Sequence, residues 1–504
     1  MFRPWLPCRA LKRLVFRACY KLGCVRQGKT LSVLVLVVLL AAGCGYASAQ
    51  QEPPPEQPNV VYVFTDDNNR QTLRRAMPNT RALIGKAGAR FDNATFAHSL
   101  CCPNRVSMQR GQYPHNTGVW GNESPNGGFE TFRERGLHLD TYATTFDRQG
   151  YRTGYFGKYL NGYGRGNLGF VPPGWDTWFS GAPMGKQYSM NGNVREGDYE
   201  REIFDKLVSE KAFPWIKDAA DGGEPFLAVL SYYAPHSPAE HPASYDALYG
   251  DEQLPKPLSF DEEDVSDKPG WMQGLSRIGS QEEATLTQQH RDRLRSVRYV
   301  DKQIGRLIDL LKTEGELDNT YVVFWNDNGY HLGQHRLPYQ DTGGKVTPYI
   351  EDVRFPLYVR GPDIAPGTIR SELVNTVDLR PTLEDMIGAS SATPDYVDGE
   401  SFLPLAEGRT IPWRTYGYSE ALKDPADEAT RAEPSRGPWR AVYSTSTAYH
   451  EWFSGEEEFY DLENDIHELD GTVSAEERPL LDEHRAALAE YRTCAGETCR
   501  SAGF

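Results

Sequence analysis

The chain has no surplus of positive charge: 54 Lys and Arg stand against 70 Asp and Glu in 504 residues, a formal net charge of −16. Eight of those cations (Arg3, Arg9, Lys12, Arg13, Arg17, Lys21, Arg26 and Lys29) fall in the first 49 positions, which hold no acid. Taking those 8 from 54 leaves 46 basic residues against 70 acidic ones, a net charge near −24 from residue 50 onward. Such a surface repels nucleic acid and long polyanions, and a small or chain-end substrate fits it better than a polymer lying in an extended groove. Nor does the amino-terminal segment hold the roughly 20 apolar residues of a membrane-spanning helix. Its run Leu31–Ala42 is shorter and is followed by the small-residue site Ala47-Ser48-Ala49. Residues 1–49 therefore read as an export signal cleaved before Gln50, which places the protein outside the cytoplasm, secreted or at the cell surface. Lipidation at Cys44, within Leu40-Ala41-Ala42-Gly43-Cys44, is the alternative and the one route to a membrane partner.

Cysteine is scarce once the leader is set aside. Of eight, Cys8, Cys19, Cys24 and Cys44 lie in or beside it, leaving Cys101, Cys102, Cys494 and Cys499. The last two bracket C-A-G-E-T-C and are expected to close a small disulfide loop in an oxidising compartment. Metal binding is the alternative, but neither a second pair nor a histidine accompanies them along the chain. Cys102 reads as a buried thiol. Histidine is also sparse, at 11 residues, and no solenoid-type repeat is visible.

What is present is enough for a large core: 39% apolar and 12% aromatic residues in a chain longer than one ordinary domain. Residues 50–58, Q-Q-E-P-P-P-E-Q-P, form a Pro-rich linker, and a catalytic domain is expected over 59–399 with a smaller domain over 400–504. Val60–Phe64, Phe226–Leu230 and Tyr321–Trp325 are continuous β-prone runs of the kind buried on both faces of a sheet. Each ends in a polar cluster: Thr65-Asp66-Asp67, Ser231 to His236, and Asn326-Asp327-Asn328. Leu294, Val297, Val300, Ile304, Leu307, Ile308 and Leu311 recur at helical spacing before the third run. Alternating strands and helices predict an α/β fold with a mostly parallel central sheet, its site beyond the strands' carboxyl ends. Short antiparallel strands are expected between Arg440 and Asp465, and the acid-rich loop around 250–268 reads as a solvated insertion. Asp66, Asp67, Asp327 and Asn328 offer the oxygen donors that a hard divalent cation such as calcium prefers. D-D or D-N-G taken alone is more often a turn or helix cap.

Between these strand ends lies C-C-P-N-R, in which Cys101 opens C-x-P-x-R. This motif resembles the signature of the type I, formylglycine-dependent sulfatases. In the same order as in that family follow G-Y-R-T-G-Y-F-G-K-Y-L-N-G-Y, A-P-H, Y-V-D-K-Q-I-G-R-L, W-N-D-N-G-Y-H-L-G-Q-H, G-K-V-T-P-Y-I-E-D-V-R-F-P and Y-D-L-E-N-D. The motifs look most similar to those of N-acetylglucosamine-6-sulfatases. The resemblance implies an alkaline-phosphatase-like sandwich with a small carboxyl-terminal antiparallel-sheet domain, and a sulfuric ester hydrolase acting on a sulfated sugar such as glucosamine 6-sulfate or on an aryl sulfate.

It further implies that Cys101 is oxidised to formylglycine by a formylglycine-generating enzyme, and that Asp66, Asp67, Asp327, Asn328 and the modified Cys101 hold Ca2+, with Mg2+ as the alternative. The hydrated aldehyde would attack sulfur in line, form a sulfated enzyme and expel sulfate through its second hydroxyl. Arg105, expected in the first turn of a helix following Pro103, would support the hydrate. Lys158 and Lys345 match the sulfate-binding lysines, and His236 the group that protonates the leaving oxygen. Many members carry a histidine two residues after the first lysine. Here that position is Leu160, and Asn161 is the candidate substitute. His115, His331 and His335 are read as rim or supporting groups. Two other readings remain: a phosphonate or phosphate ester hydrolase on the same fold, although a two-zinc phosphatase would need more histidines beside its carboxylates, and a non-catalytic binder of sulfated glycans.

Overall fold

Asn59–Thr65 is buried along its whole length, as a β-branched and aromatic run with no polar interruption requires, and it forms the central strand (β1) of the main sheet. The computed structural model describes residues 57–181, 187–196, 204–337, 344–422 and 437–504. The expected export signal, Cys44 and most of the Pro-rich linker lie outside these residues. Gln57–Phe504 forms one unit.

The remaining strands of the main sheet are β2 (Ala89–Phe91), β3 (Arg152–Gly157), β4 (Thr177–Gly181), β5 (Gln187–Met190), β6 (Asn193–Glu196), β7 (Phe226–Ser231), β8 (Thr320–Asn326), β9 (Leu357–Arg360) and β10 (Thr368–Arg370). Their order is β10-β2-β9-β8-β1-β7-β3-β4-β5-β6. The five central strands, β8 to β4, run parallel, whereas β5, β6 and β9 run antiparallel to the neighbours that join them to this centre. Register aligns Thr65 with Asn326 and Phe64 with Ser231, so the three polar clusters emerge side by side at one sheet edge.

Three helices matter for the site or its bracing: α1 (Cys101–Arg110), α2 (Phe204–Gly222) and α3 (Ser280–Thr313). The helical periodicity before β8 corresponds to α3, which buries Leu294, Val297, Val300, Ile304, Leu307, Ile308 and Leu311. Helix α1 begins two residues earlier than the C-x-P-x-R string implies. Leu100 is extended and its carbonyl accepts from Asn104 N–H at 3.2 Å, so Cys101 is already the first helical residue. Pro103 fits within that first turn, where no intrahelical N–H bond is owed. Arg105 therefore lies in the second turn rather than the first. The helix stops at Gly111, whose φ of 68° closes a left-handed cap.

Past residue 400, β11 (Gly417–Ala421), β12 (Trp439–Tyr443), β13 (Thr447–Trp452) and β14 (Glu457–Asp461) form a four-stranded antiparallel sheet. Trp439, Trp452, Tyr443 and Tyr460 from this sheet share a core cluster with Tyr349, Ile350 and Val353, the segment just after Lys345. Cys494 and Cys499 are disulfide-bonded. A histidine does accompany them in space: His115 Nε2 lies 3.0 Å from the Cys494 carbonyl, and its Nδ1 2.7 Å from Glu420. Only the fold, bringing together residues 379 positions apart, creates that contact.

Candidate active site

The parallel pairing of β1 with β8 delivers Asp66, Asp67, Asp327 and Asn328 to one point, all fully or almost fully buried. Asp67 takes a left-handed φ of 59°, which a short polar side chain tolerates better than a branched one. Its backbone N–H donates to Asp327 at 3.1 Å, and Asn328 Nδ2 donates to its carboxylate at 2.7 Å.

Cys101 enters from α1 with its thiol donating to Asp66 at 3.5 Å, and Lys345 Nζ lies 3.1 Å from its sulfur. At the first position of a helix, the sulfur also meets the positive end of the peptide dipoles, a location that favours anions. The N–H of Cys102 donates to Asn122 Oδ1 at 3.0 Å, which orients the opening turn.

Cations surround the carboxylates. Lys158 Nζ pairs with Asp66, and Lys345 Nζ with Asp67 at 2.6 Å. Arg105 forks between Asp327 (Nε, 2.7 Å) and Asp66 (Nη2, 3.0 Å). Its Nη1 donates to the carbonyls of Lys158 and Tyr159 and to Ser231 Oγ, so this guanidinium ties together the ends of β1, β3, β7 and β8. Burial alone would raise Asp66, but Lys158, His236, Arg105 and Lys345 hold it well below the usual carboxylate range. Burial pushes the Cys101 thiol up, and Asp66 adds to that, so an unmodified Cys101 is a protonated and poor nucleophile. His236 turns its Nε2 toward Asp67 at 3.6 Å while Nδ1 lies 2.9 Å from the Ser237 carbonyl; burial pulls its pKa down despite that carboxylate.

The donor set suits a hard cation. Asn328 Oδ1 is buried without a hydrogen-bond partner, and donor atoms of Asp66, Asp67, Cys101 and His236 lie within 4.8 Å of one another. Carboxylate and amide oxygens are calcium or magnesium donors rather than zinc donors.

The structure thus brings together Asp66, Asp67, Cys101, Arg105, Lys158, His236, Asp327, Asn328 and Lys345. Asn161 sits next to this group through Cys102, whose sulfur faces the Asn161 backbone, and its own Oδ1 is buried without a partner. His331 Nε2 bonds Thr347 Oγ1 at 2.9 Å, two residues past Lys345. His335 is drawn away into a second buried cluster with Glu262. His115 belongs to the disulfide region.

Three supporting residues escape a reading of the sequence. Ser231 anchors Arg105 at 3.0 Å, and the Tyr233 ring lies 5.2 Å from Lys158 Nζ. Arg293 of α3 donates to the carbonyls of Asp67 and Pro235, bracing two strand-end loops from behind. Ser231 and Tyr233 stand in the polar cluster that begins at the last residue of β7, which was a usable signal; an arginine on the apolar face of α3 gave none beyond its position.

Comparison with known proteins adds an independent line. The family profile described as "Sulfatase" matches residues 58–389, and one described as "N-sulphoglucosamine sulphohydrolase, C-terminal" matches 344–492. The extracellular sulfatase SULF-1 homolog of Drosophila melanogaster is 34% identical over 364 residues, covering 70% of this chain and 32% of the relative. The N-acetylglucosamine-6-sulfatase of Capra hircus is 32% identical over 372 residues, covering 71% of this chain and 65% of the relative. The matched region thus spans from about a third to just under two thirds of these relatives. Among solved structures, that of BT4656 in complex with its substrate D-glucosamine-2-N,6-O-disulfate superposes with a TM-score of 0.71 at 21% identity, covering 88% of this chain and 98% of the other.

Proposed function

This chain belongs to the sulfatase family, and we propose that it hydrolyses a sulfate monoester, with a 6-sulfated glucosamine at a chain end as the preferred substrate class and an aryl sulfate as a surrogate. The observation that carries the reading is the placement of Cys101: its sulfur sits at the amino end of α1, 3.1 Å from Lys345 Nζ and 3.5 Å from Asp66. That sulfur marks where the oxygens of an oxidised residue 101 would stand.

Asp66, Asp67, Asp327 and Asn328 would hold calcium, with magnesium as the alternative, which supplies charge to orient sulfate and to lower the pKa of an attacking hydroxyl. Oxidation of Cys101 to formylglycine supplies, as the hydrate, one hydroxyl to attack sulfur and a second to release sulfate. Lys158 and Lys345 face the sulfate oxygens and take up the charge that grows on them. Arg105, bonded to two carboxylates, keeps the ligand set in register. His236 would pass a proton to the departing sugar oxygen, its ring aimed by the Nδ1 bond to the Ser237 carbonyl. The preference for glucosamine is supported by the names of matched relatives and by the acidic surface, which disfavours a polyanionic chain. Export through residues 1–49 and modification by a formylglycine-generating enzyme complete the reading.

Mass spectrometry of the Cys101 peptide, from protein co-expressed with a formylglycine-generating enzyme, tests it together with rates on glucosamine 6-sulfate, an aryl sulfate and an aryl phosphonate. The aldehyde at 101 with sulfate release is the expected result. Intact cysteine, or phosphonate turnover outrunning sulfate turnover, would overturn the proposal.

A further inference from the structure

Behind the Lys345 segment, where it meets the small sheet, lies a second group of buried donors that the sulfatase reaction does not use. His335 stands in the loop after β8, Glu351 six residues past Lys345, and Glu468 in the loop after β14. His335 and Glu468 are 0% exposed, and one donor atom from each of the three lies within 4.8 Å of the others.

Each side chain is held by one atom and leaves the other unsatisfied. His335 Nδ1 lies 2.7 Å from Glu262, which orients the ring with Nε2 facing inward. Glu351 Oε1 accepts from Ser259 Oγ at 3.2 Å, and Glu468 Oε2 from the Ile350 N–H at 2.8 Å. The opposite atoms, His335 Nε2, Glu351 Oε2 and Glu468 Oε1, are buried with no hydrogen-bond partner. Both ring nitrogens of the fully buried His450 are likewise unsatisfied.

The spacings fit a metal better than a hydrogen-bond network. His335 Nε2 and Glu351 Oε2 are 3.8 Å apart, and His450 Nε2 and Glu468 Oε1 are 3.4 Å apart. Hydrogen bonds between such groups close to about 2.7–2.9 Å. Neighbouring ligands on a tetrahedral ion, each about 2.0–2.1 Å from it, lie about 3.3 Å from one another. A carboxylate behind a ligating histidine, here Glu262, is the usual outer partner of such a ring.

We propose that His335, Glu351 and Glu468 form a structural site for a zinc-class divalent ion, with the His450 ring adjoining its fourth position. Imidazole with carboxylate is a zinc-type donor set, whereas the active site offers His236 as its one imidazole among carboxylate, amide and thiol donors. The ion would clamp the small sheet to the segment that carries Lys345. This inference does not depend on the reaction proposed for the active site.

The full-length protein is loaded with Zn2+, freed of excess by gel filtration, and its bound zinc measured by elemental analysis. His236→Asn serves as the background, because it removes the imidazole from the active-site donor cluster. That variant should keep about one zinc per chain, and adding Glu468→Gln should reduce it at least tenfold. X-ray absorption at the zinc edge of the His236→Asn protein should show imidazole and carboxylate ligands. Failure to retain zinc, equal retention after Glu468→Gln, or a zinc spectrum without imidazole would each overturn the proposal. The spectrum decides even where the double variant does not fold.

Discussion

Lys345 touches both the Cys101 sulfur and Asp67, so the same ammonium group that balances a buried carboxylate faces the proposed reacting centre. Removing such a preorganised cation typically costs about 10²–10³ in kcat. Lys345→Ala should show a loss of that size on an aryl sulfate, measured alongside a thermal melt so that the buried Asp67 left behind is accounted for. His236 makes a sharper test, because proton donation matters only when the leaving oxygen is basic. In a series of aryl and alkyl sulfates, His236→Asn should depress turnover by about 10²–10⁴ for the alkyl esters and far less for nitrophenyl sulfate. A uniform loss across the series would assign His236 to substrate positioning instead. At this scale the sequence was most readable where a residue stands at a strand end. Asp66, Asp327 and His236 follow apolar runs, whereas Arg293 and Glu262 act across more than 70 residues of intervening chain and carry no local mark.

Among the elements, the end of β3 shows how closely backbone and site are joined. Gly157 has a φ of 126°, and a Cβ there would come within 1.9 Å of the Ser231 carbonyl oxygen. That carbonyl accepts the N–H of Lys158 at 3.1 Å, and the bond sets where the lysine leaves the sheet. Gly157→Ala should therefore cost about 1–3 kcal/mol in denaturant unfolding and lower kcat through a displaced Lys158. The three apolar runs were legible as strands because burial on both faces leaves no alternation to misread. The start of α1 was not: Pro103 looks like a boundary, yet a proline within the first turn forfeits no bond, and the extended Leu100 sets the true beginning. The antiparallel edges β5 and β6 were hidden too, their short half-exposed sequences being unlike the central runs.

For the molecule as a whole, the contact between the main sheet and the carboxyl-terminal region depends on charge as well as on apolar burial. His115 faces Glu420, Asp398 and the rings of Tyr113 and Tyr418, and Glu420 raises its pKa against the opposing effect of burial. A histidine whose pKa rises on folding contributes its full stabilisation below the unfolded value near 6.5, and that contribution fades as pH climbs through the higher folded value. Unfolding free energy measured across this window should fall with rising pH, and His115→Gln should flatten that slope. No slope difference between the two proteins would remove the pair from the account. The two-sheet architecture itself could be read from the short antiparallel strands expected between Arg440 and Asp465, but the way the sheets meet could not. Glu351 and Glu468, or His115 and Glu420, are brought together by chain paths that no local pattern encodes.

The burial of Cys101 also imposes a chronology. Its side chain is 0% exposed, enclosed by α1, the ends of β1 and β8, and Lys345. An enzyme that must hold the Cys101 segment itself, rather than send a small ester to it, is shut out once these elements have closed over it. Under the proposed mechanism, oxidation is expected while the chain is still open, and a molecule that folds first keeps its inactive thiol form for as long as it stays folded. Specific activity in any preparation then records how often one catalyst overtook another process, modification against folding, rather than how well the finished enzyme works.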